Sequence, residues 1–323
     1  MKRAMVLAAG LGTRMRPLSA LVAKPALPVL NRPLLHFTLE ALRRAGVREV
    51  FINTHHLAAT IRRAVGDGRA FGLRVRYSHE RRILGSIGGV QRLRRFFGDE
   101  PFLLLNGDMV FDFDLRRLIA RHERAGALAS VSLQPFPRRG RYGAVVTDAR
   151  GRIRSFGGWP RPARGRAWHF TGVQVIEPRI LERLRPGYAE TARDLYGPLI
   201  EDGGLVVGVP LRGPWYDLGS PALYLESQMQ LLENGFAGAR ARRLVDPSAR
   251  VDRAARLERS VIGAGCAIEK GALVKDSVLW RGVHVLADAR VERAIVTDRV
   301  RVSAARPLLN QIATRGRRSR LPR

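Results

Sequence analysis

The sequence predicts an α/β domain with a mixed sheet, followed by a short β-solenoid and a basic tail. Short apolar runs alternate with helical patterns up to about residue 78, more closely spaced strands follow from about residue 130, and a 17-residue repeat begins near residue 244. Strand and helix alternation is typical of parallel α/β sheets, and a fixed repeat is typical of solenoids. We therefore expect domains at 1–235 and 244–305, with the tail at 306–323.

The first part of the chain reads as strands joined by crossover helices. Strands are predicted at 3–9, 48–53, 73–78 and 101–108, with helices at about 34–45 and 57–65. The first helix has an apolar stripe at Leu35, Leu39 and Leu42, and Pro33 and Gly46 suit its two ends. Asp108 follows a buried strand, at the carboxyl end where open α/β sheets bind ligands.

The middle of the chain predicts an antiparallel or mixed extension of this sheet. Its strands are expected at 128–136, 142–148, 152–156, 169–176 and 204–210. The Pro/Gly/Arg-rich stretch 157–166 predicts a mobile loop over the sheet. Ser220 and Pro221 predict the start of a last helix, whose apolar stripe is Ala222, Leu225, Met229 and Leu232.

The C-terminal repeat places one apolar residue at every sixth position. The phrases LERSVI, VKDSVL and VERAIV recur 17 residues apart. The apolar positions are Val245, Val251, Leu257, Ile262, Ile268, Val274, Leu279, Val285, Val291, Val296 and Val302. This spacing predicts a triangular solenoid in which each hexad forms one side and points its apolar residue inward. A domain built of hairpins would show a period of two instead.

Composition excludes several classes of protein. The 46% hydrophobic content is too high for a disordered chain, and a single cysteine, Cys266, permits no intramolecular disulfide. No apolar run is long enough to cross a bilayer, so we expect a cytoplasmic protein without membrane contact. The net charge of +29 comes almost entirely from arginines scattered along the chain, which does not predict nucleic-acid binding. Only the tail 315–323 is a local basic cluster, expected to be disordered and to attract polyanions.

A glycine-bearing turn after the first strand is the first chemical signal. Gly10 and Gly12 permit backbone N–H groups to face an anion, and Arg14 and Lys24 add charges suited to phosphate. A dinucleotide fingerprint would require a third glycine where Met15 stands, and a P-loop would require Gly-Lys followed by Ser or Thr. Spacing alone leaves two interpretations open, a phosphate-binding turn and an ordinary strand-to-helix turn.

The segment AAGLGTRMRPLS, followed by KPALPVLNRPLL, resembles the signature of the sugar-1-phosphate nucleotidyltransferases, or nucleotide-sugar pyrophosphorylases. LGSIGG, NGDMVFD, YGAVVTD, FTGVQVI and WYDLGSP resemble further motifs of that family in the expected order. The resemblance implies a Rossmann-like mixed-sheet nucleotidyltransferase domain followed by a left-handed hexapeptide-repeat β-helix. The implied reaction joins a nucleoside triphosphate to a sugar 1-phosphate and releases pyrophosphate.

The resemblance also implies roles for individual residues. Nucleotide binding is implied for Ala8, Ala9, Gly10, Gly12, Thr13, Arg14, Gly85 and Ser86. Arg14, Lys24 and Asp108 are implied as catalytic, with Arg14 on the β and γ phosphates and Lys24 on the reacting phosphate. Sugar-phosphate binding is implied for Lys24, Gly143 and Gly172. Asp108 and Asp217 match the family's ligands for a divalent metal, expected to be Mg²⁺.

Two departures from the family pattern stand in the acceptor and base regions. The place where many members carry Glu-Lys-Pro reads SFGGWPRP, so Arg154 or Arg161 is expected to supply the missing charge, or Lys24 alone holds the phosphate. Ser86-Ile87 replaces Thr-Ala beside the expected base pocket. The phrase VFINTHHL and the short hexad domain most resemble mannose-1-phosphate guanylyltransferases.

Three alternatives remain open at this stage. Thymidylyl- or uridylyltransferases acting on glucose-type or amino-sugar phosphates are the nearest. A hexapeptide acyltransferase would need His284 as its base, and a non-catalytic regulatory homologue would not need the intact motifs. The short solenoid has exposed edges and little core of its own, so we expect it to bury apolar surface against the catalytic domain or a second subunit, and we expect a homo-oligomer.

Overall fold

A computed structural model describes residues 1–136, 143–236 and 242–321 of the chain. These form two compact units, one from Met1–Leu11 and Leu35–Trp215, the other from Gly12–Leu34 and Tyr216–Arg323. Each unit is therefore discontinuous in sequence. The predicted connection between 235 and 244 remains a prediction, and its residues 237–241 lie outside the described ranges.

The helices and the strands that precede the solenoid have the following bounds. The helices are α1 Leu34–Arg44, α2 Ala58–Val65, α3 Gly88–Arg92, α4 Arg94–Phe97, α5 Leu115–Ala125, α6 Gly197–Glu201 and α7 Pro221–Glu233. The strands are β1 Arg3–Leu7, β2 Pro28–Val29, β3 Arg32–Pro33, β4 Glu49–Thr54, β5 Arg74–His79, β6 Phe102–Asn106, β7 Met109–Phe111, β8 Ala129–Gln134, β9 Ala144–Thr147, β10 Ile153–Phe156, β11 Arg166–Ile176, β12 Val206–Pro210 and β13 Trp215–Asp217.

A mixed sheet of nine described strands organises the first unit. Its main order is β10-β9-β11-β6-β1-β4-β5, and β8 joins β11 to β12. Strands β6, β1, β4 and β5 are parallel, whereas β11 runs antiparallel to β6, to β8 and to β9. The predicted parallel half and its antiparallel extension are thus confirmed, as is helix α1 with its stripe of Leu35, Leu39 and Leu42, all fully buried.

The second unit joins the segment 12–34 to α7 and the solenoid. Hydrogen bonds tie the small β2–β3 hairpin to α7, since the Leu30 amide donates to Gln228 Oε1 at 2.9 Å and the Tyr224 hydroxyl donates to the Pro28 carbonyl at 2.5 Å. The Trp280 indole N–H donates in turn to the Tyr224 hydroxyl at 3.1 Å. One buried tyrosine therefore links hairpin, helix and solenoid.

The solenoid strands repeat with a register of 17 residues. They are β14 Arg243–Val245, β15 Arg250–Val251, β16 Arg256–Ile262, β17 Ala267–Ile268, β18 Leu273–Leu279, β19 His284–Val285, β20 Arg290–Glu292, β21 Ile295–Val296, β22 Arg301–Val302, β23 Leu308–Leu309, β24 Gln311–Thr314 and β25 Arg317–Arg320. Parallel pairs such as Leu257↔Val274↔Val291 stack equivalent positions of successive coils. Every predicted inward residue belongs to one apolar core or packs against it, which confirms the β-helix.

Backbone conformation repeats with the same period. Arg259, Asp276, Arg293 and Asn310, each 17 residues from the next, all have positive φ values between 41° and 54°. Such values are uncommon for residues other than glycine and mark a tight corner. The corner is thus fixed by the coil geometry, because arginine, aspartate and asparagine all adopt it.

The expectation that the basic tail is disordered is wrong for most of its length. Strand β25 pairs antiparallel with β24, from Gln311↔Arg320 to Thr314↔Arg317, and Leu321 is buried. Gly316, between the two strands, has a φ of 76°, which suits a hairpin turn. The hairpin covers the last coil, so apolar burial and strand pairing outweigh the local charge.

This hairpin predicts a result for truncation. A chain ending at Thr314 lacks β25 and exposes the unpaired edge of β24, so we expect self-association measurable by sedimentation velocity. A chain ending at Leu321 loses only two residues beyond the hairpin and serves as the control. Identical sedimentation of the two chains would contradict a capping role for β25.

No helix in the described parts of the chain is both long and apolar enough to cross a membrane.

Candidate active site

The carboxyl ends of β1 and β6 form the floor of the candidate site in the first unit. The Gly107 amide donates to the Leu7 carbonyl at 2.9 Å, and a β-carbon at Gly107 would lie 2.8 Å from that oxygen. Glycine is therefore required at position 107, where the turn after β6 approaches the end of β1. Ala8 and Ala9, both buried, and Asp108, half-buried, come directly after these strand ends. The structure brings these three predicted residues to one sheet edge.

A buried polar network that sequence reasoning missed supports this edge. The Ala8 amide donates to Asn53 Oδ1 at 2.7 Å, and Asn53 Nδ2 donates to Glu80 Oε1 at 2.8 Å. The Leu84 amide donates to Glu80 Oε2 at 3.0 Å, and Glu80 is 1% exposed. The network also explains why β1 ends at Leu7 and not at residue 9 as predicted, because the Ala8 amide bonds to a side chain instead of a strand.

The sequence carried a signal for this network. Asn53 is the last residue of the predicted strand 48–53, and Glu80 comes directly after β5. Polar residues at the carboxyl ends of neighbouring parallel strands meet at one edge, which is the reasoning that identified Asp108. The same reasoning applied to β4 and β5 predicts both residues.

Replacing Glu80 by glutamine tests the network. The carboxylate accepts from both Asn53 and Leu84, whereas an amide has one oxygen, so one buried donor loses its partner. We expect the free energy of unfolding to fall by about 1–3 kcal/mol in a denaturant titration. Glu49→Gln is the control, because its partner Arg74 lies at the surface. Equal stability of both variants would contradict a structural role for Glu80.

Gly85 and Ser86, predicted to contact the base or the ribose, make contacts within the protein. Gly85 has a φ of 77°, and a β-carbon there would overlap the Ala189 carbonyl oxygen. The Ser86 hydroxyl donates to Glu190 Oε2 at 2.6 Å and accepts from the Thr191 amide at 2.8 Å. These contacts fix the 84–86 segment against the turn at 189–191. Backbone groups of the segment, more than the Ser86 side chain, are therefore available to a ligand.

The two glycines predicted at the sugar site differ in what surrounds them. Gly172 has a φ of 84°, and a β-carbon there would lie 2.9 Å from both Asn106 Nδ2 and Met109 Sδ. Its missing side chain thus makes room for the residues that flank Asp108. Gly143 is exposed, and its nearest neighbour is Gly157. The residues before it, 137–142, lie outside the described ranges.

The glycine-rich turn continues into the second unit. Gly10 is exposed with open space at its β-carbon position, and Thr13 and Arg14 are exposed in a 3₁₀ turn. Gly12 has a φ of 61°, and its carbonyl accepts from the Ser19 hydroxyl at 2.7 Å. A turn of this form leaves the Arg14 guanidinium in solvent, where it can meet a phosphate.

Lys24 and Asp217 are the other predicted residues of the second unit. Lys24 begins the 3₁₀ turn Lys24–Ala26 and is only 8% exposed, and a β-carbon at Gly12 would lie 3.4 Å from Lys24 Cβ. Asp217 ends β13 and is half-buried, with the Ser227 hydroxyl donating to its carbonyl at 3.4 Å. A β-carbon at Gly219 would lie 2.8 Å from Asp217 Oδ2, so glycine leaves room for this carboxylate.

The two arginines expected to replace the missing lysine differ in their partners. Arg154 forms an ion pair with Asp148 at 2.8 Å on the β9–β10 hairpin. Arg161 is exposed in the loop after β10. Arg161 is therefore the arginine whose charge is available for the sugar phosphate, and Lys24, which is buried, is the alternative.

Carboxylates at these positions suit magnesium. Within the described residues, no group of three or more His, Cys, Asp or Glu side chains could hold a metal ion. Mg²⁺ does not need such a group, since it commonly takes one or two carboxylates together with phosphate oxygens and water. Asp108 and Asp217, both half-buried, offer oxygen donors of that kind.

His284, the residue on which acyl transfer would depend, makes a local link between coils. Its Nε2 lies 2.6 Å from Glu269 Oε1, and Glu269 Oε2 accepts from the Ala287 amide at 2.9 Å. The hydrogen bond from His284 lowers the pKa of the Glu269 carboxyl. Both oxygens of this carboxylate are thus used in holding two coils together.

The mixed sheet, the glycine-rich turn that follows β1 and the aspartates after β6 and at the end of β13 are typical of a nucleotide-handling α/β transferase, and the chain continues into a β-helix. Residues 3–234 match the family model described as nucleotidyl transferase, and the chain belongs to this family. Residues 233–312 match a second model, described as GlmU-like, C-terminal hexapeptide.

Several curated relatives are similar to the chain. A UTP–glucose-1-phosphate uridylyltransferase from Synechocystis is 33% identical and covers 70% of the chain, which spans 62% of that protein's length. A mannose-1-phosphate guanylyltransferase catalytic subunit beta from Danio rerio is 29% identical and covers 91% of this chain and 85% of its own. A mannose-1-phosphate guanylyltransferase from Mycobacterium tuberculosis is 28% identical, covering 90% of this chain and 83% of its own.

One solved structure shows the same fold. A Bacillus anthracis protein described as a glucose-1-phosphate thymidylyltransferase superposes with a TM-score of 0.63 at 20% identity. The match covers 72% of this chain and 95% of that one.

Proposed function

We propose that the chain transfers a nucleotidyl group from a nucleoside triphosphate to a sugar 1-phosphate, and that its substrates are GTP and mannose 1-phosphate. Family membership supports the reaction class. The observation that carries the proposal is the turn from Gly10 to Lys24, which combines an open glycine, an exposed Arg14 and a buried lysine. A reaction between two polyanions needs such cations to hold them and to stabilise the leaving pyrophosphate.

Each cation has a distinct place in this proposal. Arg14 lies in solvent at the tip of the turn, so it suits the β and γ phosphates, which leave the site as pyrophosphate. Lys24 is buried and its position is fixed, so it suits the α-phosphate, where its charge would stabilise the crowded transition state. The sugar 1-phosphate attacks that phosphorus in line, and its own phosphate shares Lys24 or uses Arg161.

Magnesium, held by Asp108 and Asp217, would supply positive charge to the triphosphate in this reaction. Both aspartates are half-buried, Asp108 in the turn after β6 and Asp217 at the end of β13. A β-carbon at Gly219 would lie 2.8 Å from Asp217 Oδ2, so glycine at that position leaves room for this carboxylate.

The choice of guanine and mannose rests on relatives that span most of the chain. The guanylyltransferases from Danio rerio and Mycobacterium tuberculosis cover both the transferase domain and the repeat region. Uridylyl transfer to glucose 1-phosphate is the second candidate, favoured by the higher identity of the Synechocystis enzyme over a shorter stretch.

A substrate matrix tests both candidates. Pyrophosphate release is measured for GTP, UTP, dTTP, CTP and ATP with mannose 1-phosphate and glucose 1-phosphate in the presence of magnesium. A base pocket that loses one buried hydrogen bond to the wrong base should discriminate by about ten- to a hundredfold. We expect the highest kcat/KM for GTP with mannose 1-phosphate. If UTP or dTTP with either sugar 1-phosphate gives the highest kcat/KM by that factor, the guanylyl assignment is wrong. If no pair releases pyrophosphate, the proposal that the chain is an enzyme is wrong.

The proposal includes a cytoplasmic homo-oligomer. Nucleoside triphosphates and sugar phosphates are cytoplasmic metabolites, which supports the location. Val245, Val251 and Leu257 point inward in the first coil but are only partly buried, so the amino-terminal end of the solenoid core is less covered than its other end. Association through this coil would bury them, and light scattering gives the mass that tests it.

A further inference from the structure

The first unit contains a basic cavity outside the residues that the proposed reaction uses. It has a volume of about 620 Å³ and is lined by His79, Arg81, Arg82, Leu84 and Arg92. The lining comes from the end of β5, the segment that follows it and the last residue of α3. Four of the five lining side chains are arginine or histidine.

The cavity's positive charge is not neutralised by neighbours. Arg81 and Arg82 are exposed, and within the described residues neither forms an ion pair or hydrogen bond with a carboxylate. Arg92 donates to the His79 carbonyl at 3.3 Å, which orients its guanidinium without cancelling its charge. The nearest carboxylate in sequence, Glu80, is 1% exposed and accepts from Asn53 and Leu84. Three guanidinium charges are thus left for a ligand.

We propose that this cavity binds the phosphate group of a small organic phosphate, at a site separate from the transfer site. Guanidinium groups pair with phosphate oxygens through two parallel hydrogen bonds, and three of them match a doubly charged phosphate better than a single carboxylate. A cavity of this size exceeds a free phosphate ion and falls in the range of small-molecule sites. Leu84 and the arginine stems provide apolar contact for the organic part.

An occupant of this cavity acts on the candidate active site through Leu84. Leu84 lines the cavity, and its amide donates to Glu80, which accepts in turn from Asn53, and Asn53 accepts from the Ala8 amide. Gly85 and Ser86 follow directly in the chain. A ligand packed on Leu84 therefore stabilises the 80–86 segment, which couples the cavity to the predicted nucleotide residues.

Binding without magnesium, triphosphate or sugar phosphate tests the site independently of the proposed reaction. AMP is the organic probe, with inorganic phosphate and adenosine as its two halves, each titrated calorimetrically into the full chain. We expect AMP to bind more tightly than either half, and to slow hydrogen exchange at 80–86. No AMP binding, or equal affinity for AMP and inorganic phosphate, would overturn the organic-phosphate assignment.

Paired variants locate the bound AMP. Arg81→Ser combined with Arg82→Ser should weaken AMP binding about tenfold or more, because two charge-assisted contacts are lost. Arg117→Ser combined with Arg121→Ser removes the same charge from exposed positions of α5, which packs against β8 and β12 away from β5, and should leave affinity within about twofold, since exposed distant charges are screened. An equal loss of AMP affinity in both double variants would show that binding depends only on overall charge, and would overturn the proposed site.

A third variant separates the cavity from the transfer site. Arg14→Gln should leave AMP binding and the exchange protection at 80–86 unchanged. Loss of binding in Arg14→Gln with retention in the Arg81/Arg82 variant would place AMP at the transfer site and overturn the proposal. A single Arg82→Glu variant, which reverses the charge at an exposed position, repeats the test with less risk to folding.

Discussion

Asp108→Asn and Asp217→Asn should each lower kcat by at least about a hundredfold while the protein remains folded. Asparagine keeps the shape of the side chain but removes the negative charge, so it binds magnesium more weakly. Both aspartates are half-buried, and asparagine is nearly the same size as aspartate, so the amide fits the same space. The loss should therefore appear in turnover over a magnesium titration, not in the melting temperature.

Asp112→Asn is the matched control for this pair. Asp112 lies four residues beyond Asp108, directly after β7, and its side chain is exposed. Its replacement removes the same charge from the same segment and should leave kcat within about twofold. Wild-type turnover of both Asp108→Asn and Asp217→Asn at saturating magnesium would contradict their role as metal ligands.

The periodic parts of the chain were predictable because periodicity reports burial directly. Apolar residues at Leu35, Leu39 and Leu42 could lie on one face only of a helix, and the solenoid's sixth positions could point only inward. Strand and helix bounds followed to within a few residues. The ends were less predictable, since β1 ends where the Ala8 amide finds the Asn53 side chain, a contact 45 residues away in sequence.

The reason why a position holds glycine is hard to predict from the sequence. The ligand contacts of Gly85 and Gly172 stay predictions, and both positions also have a packing reason to be glycine, because a β-carbon at Gly85 would meet the Ala189 backbone and one at Gly172 would meet Asn106 and Met109. A glycine required by protein packing and one required by a ligand look alike in a sequence. The basic tail differs from its prediction for a similar reason. Its charge can be read from the local sequence, whereas its pairing with β24 depends on coils that come earlier in the chain.

Burial makes Lys24 the cation whose loss should cost most. Lys24 is only 8% exposed, so its charge acts in a medium of lower effective dielectric than water and is felt more strongly by a nearby phosphate than that of exposed Arg14. The 3₁₀ turn and the contact with Gly12 fix its position before substrate arrives. A preorganised charge of this kind stabilises the transition state without reorganisation.

Lys24→Met should therefore lower kcat by about 100- to 1,000-fold, with a smaller change in KM for the triphosphate. Methionine retains an unbranched apolar stem, so the packing beside Gly12 and the melting temperature should persist. Lys270→Met removes a charge from an exposed solenoid position and should leave kcat unchanged. Gly12→Ala supplies an independent test, because its β-carbon would lie 3.2 Å from Ser19 Cβ and 3.4 Å from Lys24 Cβ at a φ of 61°, and should lower kcat by displacing the lysine. Normal turnover in Lys24→Met would show that the residue serves the packing of the turn alone, and the charge at the reacting phosphate would then have to come from Arg14.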